Sequence, residues 1–89
     1  MAVSKKQLDR IVELAKSYGA KRLIIFGSAA KALSKARDID IACDGIHGWK
    51  LYELAARLED EMGAVFDVIP LSPPTPFTKY IESKGKILL

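Results

Sequence analysis

The stretch that most constrains the fold runs from Phe26 to Asp44, FGSAAKALSKARDIDIACD. It joins two apolar runs, Leu23-Ile24-Ile25-Phe26 and Ile39 to Cys43, through a Gly-Ser pair, a short Ala/Lys-rich segment and two aspartates spaced Asp-x-Asp. A run that is apolar at every position suits a strand covered on both faces, so residues 23–26 predict a central strand ending at the Gly27-Ser28 turn. Ala29 to Leu33 is rich in helix formers and predicts a short helix. Ser34 to Arg37 reads as a polar connection, and Asp38 to Cys43 as the second strand.

The flanking chain supplies elements to pack on this unit. Ser4-Lys5-Lys6-Gln7 has the form of a capping box. Leu8, Ile11, Val12, Ala15 and Tyr18 follow at helical spacing, which predicts a helix over 5–18 with Gly19 just past its end. Trp49, Leu51, Tyr52, Leu54, Ala55, Leu58 and Met62 predict another over 48–62, apolar around more than half its circumference and stopped by Gly63. Val65 to Ile69 is the third strand, and Pro70, which has no N–H to give a ladder, ends it. Thr75 and Pro76 have the residue types of an N-cap and first helical position. Phe77, Tyr80 and Ile81 are the apolar side of that last helix, and Gly85 stops it. The tail Ile87-Leu88-Leu89 has no assigned structure. The order is α-β-α-β-α-β-α, an α/β (α+β) domain spanning residues 1–89.

The chain has 89 residues, enough for one small domain, with 14 basic against 11 acidic residues and a net charge of +3. Such a mild bias permits a polyanionic ligand without indicating nucleic acid. The apolar runs are too short to span a bilayer, and no signal-peptide core follows Met1. Cys43 is the single cysteine, which removes an intrachain disulfide and a cysteine zinc cluster. A reducing cytoplasm is the expected setting.

The chemistry-bearing residues are acidic. Positions i and i+2 of a strand share a face, so Asp38 and Asp40 project together, away from Ile39 and Ile41. Adjacent carboxylates repel and resist burial. A hard divalent cation would compensate them, and Mg²⁺ suits two carboxylates plus substrate phosphates. A solvated strand end with Lys35 and Arg37 as partners would also suffice. Asp67 lies inside an otherwise apolar strand, where a charge is costly unless paired or metal-bound. Beside the second strand it would complete a three-carboxylate cluster; otherwise it is a structural Asp paired with a lysine or capping an amide. Gly27 permits close backbone approach to a ligand. Ser28 would sit where a helix N-terminus favours an anion, or would simply be an N-cap.

Taken together, Gly27-Ser28, Ala29-Ala30-Lys31-Ala32, Asp38-Ile39-Asp40 and Asp67 resemble the minimal nucleotidyltransferases of the DNA polymerase beta-like superfamily, over nearly the whole chain. The resemblance implies a mixed three- to four-stranded sheet with helices packed on it. It implies that Gly27, Ser28 and Lys31 hold a triphosphate, that Asp38 and Asp40 ligate Mg²⁺, and that Asp67 is general base or third metal ligand. Two Mg²⁺ ions and a nucleoside triphosphate, ATP first among them, would be used to transfer a nucleoside monophosphate to a hydroxyl. Minimal members are often paired with a helical HEPN-domain protein in toxin–antitoxin systems, and some adenylylate a tyrosine on that toxin. This chain departs from the pattern at Ala29 and Ala32, where Arg and a second Gly are common, and at Arg37, where Ser often stands. Lys31 keeps the charge of a common Arg but not its bidentate phosphate contact.

Other residues carry weaker signals. His47 reads as loop surface, Cys43 as core, and Trp49 and Tyr52 as core or interface rather than base-stacking groups. The lysines and arginines read mostly as solvated. Since the domain is small, a partner protein or a homo-oligomer would complete the site, with helix 48–62 and the Phe77/Tyr80/Ile81 side as candidate interfaces. The alternative function is a non-catalytic antitoxin that neutralises a HEPN-type partner by contact alone. An RNA-binding role is disfavoured by the lack of basic-aromatic interleaving.

Overall fold

The computed structural model describes residues 4–27 and 38–89. Helix α1 spans Lys5–Ser17, strand β1 Arg22–Phe26, β2 Asp38–Asp44, helix α2 Gly48–Met62, β3 Val65–Pro70, helix α3 Pro76–Lys84 and β4 Lys86–Ile87. The short helix expected over 29–33 lies outside the described residues.

The caps form where the residue types place them. Ser4 and Gln7 exchange side-chain and backbone hydrogen bonds at the start of α1, and Thr75 and Thr78 do so at α3. Gly63 takes the left-handed conformation that ends α2, at φ 66°, where a side chain would be strained.

The sheet order is β3-β2-β1-β4. The β1–β2 and β1–β4 pairs are antiparallel, whereas β2 and β3 are parallel and joined through α2. Parallel neighbours need such a crossover. The tail thus supplies a fourth strand, Ile87 pairing with Ile24.

Alternation divides the sheet's side chains into two layers. Leu23, Ile25, Ile39, Ile41, Cys43 and Phe66 face α1 and α2, where Ile11, Leu14, Ala15, Leu51, Leu54 and Leu58 complete the main core. Ile24, Phe26 and Ala42 face the other way and pack with Leu71 and Ile81 under α3. Strand β1 is buried on both faces from Leu23 to Phe26, as its unbroken apolar run predicts. A shallow groove between α1 and α2, lined in part by Lys6, Arg10, Glu61 and Met62, belongs to the helical layer. Arg10 spans it, donating at 2.9 and 2.8 Å to the two carboxylate oxygens of Glu61.

Strand β3 is the outermost strand of the sheet. Its Phe66 N–H donates to the Glu59 carboxylate of α2 at 3.0 Å, and Pro70 is its last residue.

Candidate active site

The three aspartates lie on the face that carries α3. In the ladders, Phe26 is the partner of Asp40, and Asp40 is the partner of Asp67. Directly opposed residues share a face, so Phe26, Asp40 and Asp67 form one row across β1, β2 and β3. Asp38 follows on the same face, two residues along β2. Helix α3 covers Ile24, Ala42 and the Ile81 side of this layer. At the end bearing the aspartates, Asp38 and Asp67 are exposed and Asp40 is half-buried.

This corrects one expectation. Asp67 is not a charge forced into an apolar interior. Its strand is the sheet edge, and its side chain reaches solvent. The apolar residues around it divide between the faces: Phe66 is buried against the helices, while Val65 on the Asp67 side is exposed.

Asp40 has the perturbed electrostatics of the group. Partial burial first, then a proton-sharing contact with Asp67, then the negative charges of Asp67 and Asp38 raise its pKa above the ordinary carboxylate value. The structure brings Asp40 and Asp67 together, with Asp38 close enough to act on Asp40 through its charge. Among the described residues, no three acidic, imidazole or thiol groups converge into a closed metal cage. The donors nevertheless fit a hard cation chemically. They are carboxylate oxygens, repelling one another, and Mg²⁺ commonly takes only one or two carboxylates while waters and substrate phosphates fill the remaining positions.

Gly27 adjoins this pair. Its φ is 71°, and a Cβ built on it would stand 2.5 Å from Asp40 Oδ2. The positive φ at position 27 favours glycine, and a side chain there would displace the Asp40 carboxylate from its present place. Ser28 and Lys31, the other expected phosphate contacts, and Ala29, Ala32, Lys35 and Arg37 lie outside the described residues.

Other residues resolve differently from their sequence signals. Cys43 is buried against the main core, and burial pushes its thiol up to about 12. His47 is exposed as the N-cap residue of α2, with no side-chain capping bond. Arg22 is not simply solvated: it donates to Glu82 at 2.8 Å and to Asp44 at 3.5 Å. Trp49 and Tyr52 are not core residues, being 67% and 81% exposed. They stand on α2, behind the sheet from the aspartates. Ile81 is fully buried and cannot belong to an interface, whereas Phe77 and Tyr80 are exposed.

Phe77 is the neighbour that the sequence reading did not connect with the aspartates. Its ring meets that of Phe26 edge-on, with centroids 6.0 Å apart and planes at 84°. The strand pairing of Phe26 with Asp40 is what places Phe77 beside the site, and helical periodicity alone carries no such information.

No protein-family model matches the chain, and no curated protein matches it in sequence. Solved structures do match its fold. A toxin–antitoxin complex with AMP-PNP contains a chain that superposes with a TM-score of 0.79 at 21% identity, over 92% of this chain and 72% of that one. A complex of a tri-AMPylated Shewanella oneidensis HEPN toxin with its MNT antitoxin gives 0.76 at 21% identity, over 96% and 71%. A structure provisionally described as a minimal nucleotidyltransferase gives 0.78 at 21% identity, over 96% and 94%.

Proposed function

From a fold shared with minimal nucleotidyltransferases, we propose that this protein is a Mg²⁺-dependent nucleotidyltransferase. It moves a nucleoside monophosphate, AMP first among the candidates, from the triphosphate to a hydroxyl on a partner protein. The observation that carries the reading is the pairing of Asp40 with Asp67 on the sheet face that carries α3, with Asp38 on the same side and Gly27 against Asp40.

In this reading Asp38 and Asp40 are the metal ligands, and Gly27, Ser28 and Lys31 bind the triphosphate. Asp67 is the third ligand or the base that takes the acceptor hydroxyl's proton. The acceptor oxygen bonds to the α-phosphorus, the bond from that phosphorus to the α,β-bridging oxygen breaks, and pyrophosphate leaves with the bond electrons. Bound Mg²⁺, as two ions, would acidify the attacking hydroxyl and offset charge on the leaving group. Partial burial first, then the contact with Asp67 and the charges of Asp67 and Asp38, raise the pKa of Asp40; a bound cation would offset the charge part of that shift.

A HEPN-type helical protein is the proposed partner and acceptor. Two of the similar structures support this: one holds AMP-PNP in a toxin–antitoxin complex, and one pairs a tri-AMPylated HEPN toxin with its antitoxin. The second reading, an antitoxin acting by contact alone, draws on Trp49 and Tyr52, which offer apolar surface behind the sheet from the aspartates.

Transfer of label from ATP to a co-expressed HEPN-type partner tests the proposal. Label that requires Mg²⁺ and disappears with Asp38→Asn or Asp40→Asn supports the enzyme. A stable complex that never takes label from any of the four nucleoside triphosphates supports contact alone.

A further inference from the structure

We propose that Phe77, with Tyr80 one helical turn further on, is the stacking platform for the nucleobase of the bound nucleoside triphosphate. This rests on the reading of the aspartates as the site that holds the triphosphate.

The placement follows from the ladders. Phe26 stands opposite Asp40, a separation of about 5 Å between Cα atoms in an antiparallel pair. Phe77 packs edge-on against Phe26 from the first turn of α3. Phe77 therefore lies on the same face of the sheet as the carboxylates, against the residue that pairs with Asp40.

The ring is fixed and yet accessible. Phe26 is buried, and Ile81 in the turn after Phe77 is fully buried beneath α3. These contacts anchor the helix that carries Phe77. The capping box of Thr75 and Thr78 brackets Phe77 in sequence and fixes the helix start. Phe77 nevertheless keeps 50% of its surface in solvent, and Tyr80, its i+3 neighbour, keeps 59%. Residues so spaced lie side by side on a helix, so the two rings make one exposed aromatic surface next to the site. Among the described residues on the opposite flank of that face, the large exposed apolar one is Val65, which has no ring to stack.

An aromatic surface held at a distance from a phosphate-binding group suits a base, since every base has a π-face and stacking tolerates base identity. Such a platform adds base stacking to the binding of the phosphates. It also explains why the apolar side of α3 is split: Ile81 turns inward to the core, and Phe77 and Tyr80 remain outside.

Calorimetry on the full chain with Mg²⁺ separates the platform from the phosphate site, using ATP and inorganic tripolyphosphate as probes. ATP should bind wild type more tightly than tripolyphosphate. Phe77→Ala should weaken ATP about 5- to 150-fold, the range expected for loss of one base stack, and leave tripolyphosphate unchanged. Phe77→Trp should restore ATP binding, whereas Phe77→Leu, which keeps apolar bulk without a ring, should not. Unchanged ATP affinity in Phe77→Ala overturns the platform, as does an equal loss for both probes. If ATP binding depends on Asp40 but not on Phe77, the platform alone falls. If wild type binds neither probe, the triphosphate site falls and the platform with it. Circular dichroism identical to wild type excludes unfolding as the cause of any loss.

Discussion

Asp40 and Asp67 occupy matched positions on adjacent parallel strands, on the face of the sheet that carries α3. Two acids in that position disfavour the empty fold and favour whatever cation or proton joins them. The arrangement therefore predicts opposite effects of one substitution on stability and on ligand response.

Asp40→Asn should stabilise the ligand-free protein at neutral pH. An acid with a raised folded pKa favours folding while it holds its proton and opposes folding once the proton is lost. That contribution is complete below the unfolded value near 3.8 and disappears as pH rises through the raised folded value. At pH 7 the Asn variant should melt higher by about 1–4 °C, a small shift because the group is partly solvated. The gain should vanish toward pH 3. Added Mg²⁺ and ATP should raise the Tm of wild type by mass action and leave that of the variant unmoved. Melting curves across pH, with and without ligand, check both halves. A variant no more stable at pH 7 would contradict the electrostatic account.

Gly27→Ala places a methyl group into the Asp40 carboxylate and forces a side chain into positive φ. The backbone strain should cost about 1–2 kcal/mol, lowering Tm by roughly 5–15 °C in a domain of this size. The nucleotide-induced rise in Tm should be lost as well, because Asp40 must move. A variant that keeps the full nucleotide response would show that Asp40 does not have to sit against Gly27.

Leu54→Ala and Ile81→Ala empty the two apolar layers separately, since both residues are fully buried. Each should cost about 2–5 kcal/mol, a large share of the roughly 4–13 kcal/mol expected for a chain of this length. Urea denaturation measures that loss. Ile81→Ala should additionally weaken ATP binding, because α3 carries Phe77; Leu54→Ala should not, at temperatures where it remains folded.

Cys43 should resist alkylation in the native protein at pH 8. Its thiol is buried with its pKa pushed up to about 12, so little thiolate exists to react. Modification should follow the rate of unfolding and accelerate sharply in urea. Rapid labelling without denaturant would show that β2 opens locally.

The sequence made α1, α2, α3 and three strands readable because their signals are local. A capping box starts α1, Thr75 and Pro76 start α3, glycines end α1 and α2, and alternation marks Asp38 to Cys43 as a strand. The same alternation put Asp38 and Asp40 on one face. The partnership of Asp40 with Asp67 depended on β3 lying next to β2, which is a property of sheet order rather than of any short stretch. Solvent exposure of Asp67 was hidden for a similar reason: an apolar strand reads alike whether it is central or outermost. Ile87 gave no usable signal because a two-residue strand has no period to detect. Phe77 was legible as the apolar side of a helix. Its nearness to the aspartates required the cross-strand pairing of Phe26 with Asp40.

The contact from the Phe66 N–H to Glu59 has a consequence for assembly. Along the outward margin of β3, Phe66, Val68 and Pro70 are the residues turned away from β2, since Leu71 on the alternate set donates inward to the Cys43 carbonyl. The Phe66 donor is already engaged and Pro70 has none, so of these three residues only Val68 keeps an N–H to offer a new ladder. At the other margin, β4 is two residues long and carries Lys86, both features that discourage annealing of another strand. Among the described residues, both margins of the sheet are thus poor templates for a further strand, which guards the fold against edge-to-edge polymerisation.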